Sequence, residues 1–317
     1  MNANKPSLPV AFYQPSLVGT LSFILFSYFM LCGGWVSIYY LVSSDTPVWI
    51  KILLLIPLYV MVGQGLHLLG WIGHEGFHFN LAKNRHVSVI LSIILTQPLT
   101  LFSTVGENTI HWSHHKYTNK PGDPQVELFP KYQTLWSRLL LARMELEHIY
   151  IRNVILLAFD RLDVTMALPT RTMVQYARLD LLLSAAVFAF YLYVLIQYPF
   201  WGLLLIVIPH LVAFLISSVR PFVEHAGTEE GEFSNARSAI SPLFTALYFC
   251  NNYHLEHHLY PRVPCWRLPK VQKYLVQQGA YADQKPHITR GVFSALRCAT
   301  SAYIYPKPSM RAAKTAG

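Results

Sequence analysis

Three histidine patterns carry the chemistry of this sequence: His74-Glu-Gly-Phe-His78, His111-Trp-Ser-His114-His115 and His254-Leu-Glu-His257-His258. Residues three and four apart on a helix are surface neighbours, so each pattern aims two or three imidazoles in one direction. Imidazole is the commonest metal-ligating side chain. A lone histidine in an apolar chain is usually a hydrogen-bonded structural group, but eight in three helix-compatible clusters define a metal site. One zinc takes three or four protein ligands. The eight, joined by His225 in Pro-Phe-Val-Glu-His, are too many for one ion and suit two. A nearly all-imidazole set favours Zn, Cu, Fe or Ni over Mg or Ca and does not choose among the four.

The elements that must hold these residues are membrane helices. The 317-residue chain is 53% apolar and 13% charged, with a mean hydropathy of +0.33, against about 25% charge in soluble domains. That composition excludes a disordered chain, a coiled coil and a nucleic-acid-binding module. Residues 17–42, 50–72, 179–199 and 201–219 are apolar runs of the length, about 20 residues, that crosses a hydrocarbon core. Of 25 Lys and Arg, only Lys5 and Lys51 lie outside residues 73–178 and 220–317. Cytoplasmic segments collect such charge, so both segments, the histidines and both termini are expected on the cytoplasmic side. The fold class is thus all-α integral membrane, one domain over 1–317 with four transmembrane helices in two hairpins. The run Val87–Val105 is interrupted by Gln97 and Pro98, and a crossing there would separate the histidine clusters. It is read as a re-entrant or interfacial segment. Residues 133–162 mix Leu, Ile and Trp with Arg138, Arg143 and Arg152, as suits interfacial helices of a cytoplasmic cap. The first apolar run is too long for a cleavable signal. The four cysteines show no paired spacing, and no disulfide framework is expected. The tail after Ser301 is expected to be loosely ordered.

The three boxes, in this order and with paired crossings, resemble the integral-membrane fatty acid desaturase superfamily, which also holds acyl-lipid desaturases, carotenoid hydroxylases and carotenoid ketolases. The stretches His111 to Asn119 followed by Gly-Asp-Pro, Asn252 to Pro261, and Pro264 to Pro269 carry the likeness. The resemblance implies that His74, His78, His111, His114, His115, His225, His254, His257 and His258 hold two Fe ions, with O2 as co-substrate. It also implies a membrane lipid or acyl-chain substrate and a separate electron donor, a ferredoxin or cytochrome b5-like protein. No Gly-rich dinucleotide fingerprint appears. In the acyl-CoA branch an Asn precedes the isolated histidine by four residues; Pro221 stands there in this chain. Asn251 is a substitute, against a capping or packing role for its amide. Glu75, Glu107, Asp123, Glu224 and Glu256 are candidates to hold ligand N–H groups. His67 and His210, inside crossings, either line a substrate channel or serve as neutral structural groups, and the latter is favoured. Lys116, Lys120, Arg220 and Arg237 flank the boxes and are candidates for docking an acidic electron carrier.

Three readings compete with acyl desaturation, two of them enzymatic and one a metal transporter or sensor. Hydroxylation or ketolation of a carotenoid or another lipid would use the same centre. His74-Glu75-Gly-Phe-His78 also satisfies HExxH, the pattern of intramembrane zinc proteases, but that reading leaves both HxxHH boxes without a role. A metal transporter would place its site near the middle of the crossings, whereas these clusters lie at one end of them.

Overall fold

The computed structural model describes residues 5–163, 168–282 and 284–301; the tail after Ser301 lies outside the described residues. Four helical spans are long and apolar enough to cross a bilayer: Val10–Ser43, Val48–Phe77, Thr170–Gln197 and Pro199–His225. They contain three of the four expected apolar runs, and the third span ends at Gln197, two residues short of the expected 179–199. Their outer faces expose Leu25, Phe29, Val60, Leu182 and Phe188, as a lipid-facing surface does. The second span has 30 residues, or about 45 Å at 1.5 Å per residue, well beyond the ~30 Å hydrocarbon core. That excess carries the first histidine box past the apolar layer. Inside the layer the first and second spans approach closely at a small residue. A Cβ on Gly65 would lie 2.6 Å from the backbone nitrogen of Leu31, which sits in a π turn at Phe29–Gly33.

The run expected to be re-entrant forms a helix, Arg85–Thr100, capped by the side chain of Asn84. It packs against the second and third spans, continues past Gln97, and stops where Leu101 takes a left-handed φ of 53°. The chain then turns directly into a second helix, Thr104–Tyr117. A π turn at Ser137–Ala142 leads into the cap helix Arg143–Ala158. The outward side of residues 136–158 shows Trp136, Leu141, Met144 and Ile151, an apolar face suited to an interface.

The second hairpin is open. Beyond its tight connector at Tyr198, the third span packs on the Arg85–Thr100 helix and the cap helix, while the fourth packs on the second span. A small parallel sheet pairs β1 (Arg237–Ile240) with β2 (His287–Arg290). Periodicity gave no sign of it, because four-residue strands so far apart in sequence have no local signature.

Candidate metal centre

Each box sits where a helix ends. His74 occupies the last turn of the second span and His78 caps it. His111, His114 and His115 lie on the Thr104–Tyr117 helix, and His225 is the final residue of the fourth span. His254, His257 and His258 fill a single short helix, His254–Leu259. The second box is placed by its N-terminus. Ser103 accepts the Gly106 N–H at 2.8 Å and donates to Asp180 Oδ2 at 2.7 Å. Gln97 donates to Asp180 Oδ1 at 2.6 Å and accepts from Ser184 at 2.7 Å. One buried carboxylate on the third span thus fixes both the preceding helix and the box. Gly106 lets the box helix touch the cap helix, because a Cβ there would lie 2.3 Å from the Tyr150 carbonyl oxygen.

The nine expected ligands converge. His74, His78, His111, His115 and His257 bring one nitrogen each within 4.8 Å of one another, and so do His114, His225 and His258. His254 joins the second group, its Nε2 lying 2.9 Å from that of His225 and 3.1 Å from that of His258. In the first group, His111 Nε2 is 2.9 Å from the Nε2 atoms of both His78 and His115. Such spacings match a coordination shell, since ligands about 2.1 Å from an ion and at right angles stand about 3.0 Å apart. Hydrogen bonding alone does not satisfy the cluster. His74 Nε2 and His114 Nε2 are buried with no hydrogen-bond partner, an arrangement that is costly unless something else meets the lone pair. Six of the rings are held toward the neutral form. Burial, then the charge of Arg262, pushes His78 down to about 3. Burial followed by neighbouring imidazoles holds His111, His115, His254, His257 and His258 well below their ordinary value; for His254 and His257, Arg220 adds to these. Neutral imidazole is the form that binds metal, so the donor set fits two imidazole-loving ions.

The proposed supporting residues divide sharply. Asp123 Oδ1 lies 2.9 Å from His114 Nδ1 while also accepting the Gln125 N–H, which turns the Nε2 of His114 inward. Glu224 pairs with Arg220 at 2.5 Å and approaches His254 Nδ1 at 3.6 Å. His225 Nδ1 faces the Asn235 carbonyl at 3.1 Å, and His258 Nδ1 faces the Thr118 hydroxyl at 3.2 Å. Neither Asn235 nor Thr118 was expected from sequence, where polar residues near a box carry no distinguishing signal. Glu75 is held by Asn80 and by the Cys265 N–H at 2.9 Å, with its other oxygen 3.4 Å from His74 Nδ1. A carboxylate so committed is poorly placed as the base of a protease. Glu256 turns away from the imidazoles to Ser238 and Tyr281. Asn251 donates to the Tyr248 carbonyl and takes the packing role. Of the four cations considered for docking, Arg220 and Arg237 are buried and bonded to backbone carbonyls, whereas Lys116 and Lys120 are exposed.

A cavity of about 390 Å³ opens beside the imidazoles, within the usual size range for small-molecule sites. His74, His111, His114, His225 and His254 line one end of it, and His67 and His210 line its walls. His67 accepts from Trp71 Nε1 at 3.2 Å, and His210 faces the Ile206 and Leu99 carbonyls; both are therefore structural and cavity-lining. Glu107 also lines the cavity and makes no contact with a ligand N–H; burial raises it to about 8. The cap helix adds Arg143 and Glu147 to the wall, joined to each other as an i,i+4 pair. Sequence reading took Arg143 only as an interfacial charge and missed Glu147, although the i,i+4 spacing is visible in it.

A profile described as fatty acid desaturase matches residues 47–290, most of the chain and all nine histidines. The Delta(5) fatty acid desaturase fat-4 of Caenorhabditis elegans is 26% identical, over 89% of this chain and 66% of its own length. The Delta(6)-fatty-acid desaturase fat-3 of the same organism is 22% identical, over 87% and 66%. The chain thus spans about two thirds of the length of these relatives. With four membrane-length helices and three histidine boxes closing on one point, it belongs to the fatty acid desaturase family.

Proposed function

We propose that the chain is a membrane-bound oxidoreductase that uses O2 and two Fe ions to desaturate fatty acyl chains. The observation that carries this reading is the pair of imidazole groups opening onto a cavity that runs back between apolar spans. His74, His78, His111, His115 and His257 would hold one ion, and His114, His225, His254 and His258 the other. Bound iron would supply the oxidising power that protein side chains lack for an unactivated methylene. The overall reaction balances as R–CH2–CH2–R′ with O2, two electrons and two protons, giving R–CH=CH–R′ and two waters. The electrons come from a separate ferredoxin or cytochrome b5-like carrier. Lys116 and Lys120 offer it a basic landing face next to the second box. Asp123, Asn235 and Thr118 orient imidazoles, and the Trp71 ring stacked 3.4 Å from the Arg220 guanidinium closes the metal end of the cavity. The lopsided Lys and Arg distribution supports a cytoplasmic active site.

The test is elemental mass spectrometry of purified protein together with fatty-acid profiling of cells that make it, beside a His114→Ala, His257→Ala double variant. Two irons per chain and a new unsaturated acid, both lost in the variant, are expected. A hydroxylated or keto product would replace desaturation with the neighbouring reaction. A single zinc that survives the double substitution would overturn the di-iron centre.

A further inference from the structure

A second cavity, of about 260 Å³, lies in the opening between the third and fourth spans. Its walls are almost wholly apolar: Phe188, Leu192 and Leu195 from the third span face Ile206 and Val207 from the fourth. Phe188, Leu192 and Val207 are also exposed on the outside of the spans, where the bilayer would lie. Leu101 and His210 line this cavity and the histidine-lined one alike. The two spaces therefore meet at one wall.

Several features converge on that wall. The third and fourth spans diverge from their connector because they pack on different neighbours, which leaves a wedge open to the side. The Leu99 carbonyl sits at the top of the wedge and accepts from Tyr191 OH at 2.8 Å, with His210 Nε2 at 3.1 Å. A single carbonyl thus ties the two sides together. The chain beside it leaves helical geometry at Leu101. Across the wedge, the fourth span contains a π turn at Leu203–Val207, a local irregularity often found at functional sites. On the fourth span, His210 precedes His225 by fifteen residues, or about 22 Å along the axis. An extended chain lying along that helix would connect the side opening with the imidazoles.

We infer that the acyl chain of a bilayer phospholipid reaches the imidazole-lined cavity sideways, through the opening between the third and fourth spans, with Leu101 and His210 as its inner gate. This inference rests on the acyl-chain reading above. The apolar walls suit a hydrocarbon, and the polar atoms of Tyr191 and His210 in the lining face the Leu99 carbonyl. A headgroup would stay outside the opening or at its rim, while the chain slides in.

The experiment uses the full chain in nanodiscs of phosphatidylcholine carrying a photoreactive diazirine in mid-chain, with cross-links mapped by mass spectrometry. Leu101, Ile206, Val207 and His210 are expected to be labelled more strongly than the lipid-facing Leu182. Val207→Trp and Leu192→Trp plug the opening from opposite walls at positions with room for the added bulk. Each is expected to lose labelling at Leu101 and His210 and to lose turnover of phospholipid chains, with iron content and melting temperature unchanged. Labelling of Leu101 and His210 no stronger than of Leu182, or labelling that survives both tryptophans, would overturn the inference. So would turnover that both leave intact. If the wild-type chain labels as expected but oxidises no acyl chain, the desaturase reading fails and the opening stands.

Discussion

At the scale of single residues, the imidazoles were legible in the sequence because their chemistry lies in residue type and helical spacing. Their supporting groups were only partly so. Asp123 and Glu256 stood equal beside their boxes, yet Asp123 faces His114 and Glu256 faces Ser238 and Tyr281. Helix geometry separates the second case in retrospect: Glu256 is two residues from His254, and residues at that spacing do not share a face. The role of Asp123 depended on how the Tyr117–Asp123 turn folds back, which no periodicity encodes. Asp123→Ala is expected to weaken metal binding about 10–100-fold, measured by chelator competition, whereas Glu256→Gln should leave metal affinity unchanged. Glu107 makes a pH prediction. Its folded value is raised from 4.5 to about 8, so the folded chain holds a proton that the unfolded chain loses, and stability falls as pH rises across that window. The buried histidines act oppositely: with folded values below 6.5, stability gained from their neutrality is complete only above 6.5. From 6.5 to about 8, wild-type melting temperature should therefore fall, and in Glu107→Gln that part of the fall should vanish.

At the scale of elements, length and apolarity were enough to find four spans, because the bilayer imposes a minimum that few soluble helices meet. The helix Arg85–Thr100 is shorter than the four spans, and Gln97 marked it in the sequence as an interrupted apolar run. What its polar residue does was not legible, since the answer lies on a different span. Gln97 and Ser103 meet at Asp180, and the contact joins residues far apart in sequence. Asp180→Ala removes the acceptor of two buried donors. Each buried polar group left unpaired costs about 1–3 kcal/mol, and Gln97 retains the Phe102 carbonyl, so a loss of about 1–3 kcal/mol is expected. The second box should also loosen, so thermal denaturation in detergent and iron content should fall together. Asp180→Asn keeps an acceptor and should fall between the two. The open second hairpin escaped sequence reading for a related reason. A one-residue connector implies neighbouring helices, but the wedge arises from what each helix packs against beyond the connector.

At the scale of the whole molecule, the histidine boxes occupy one end of the bundle and the Ser43–Val48 turn joins the first two spans at the other. With the boxes on the cytoplasmic side, a cysteine in place of Asp45 should react with a membrane-impermeant thiol reagent added outside intact cells. A cysteine in place of Lys116 should react only after lysis. The reverse pattern would invert the topology. The small β-sheet has a consequence in time. β1 carries Ser238, which accepts the Leu255 N–H at the start of the third box and donates to Glu256, and β1 is completed only by β2 at His287–Arg290. From His74 to Arg290 the ribosome must add more than two hundred residues, which takes about 10–40 s at typical synthesis rates. For that interval the first imidazoles are made but their partners are not. On the di-iron reading, iron would enter a nearly finished chain, and whatever shields the early histidines from zinc during synthesis would bear on which metal the mature protein holds.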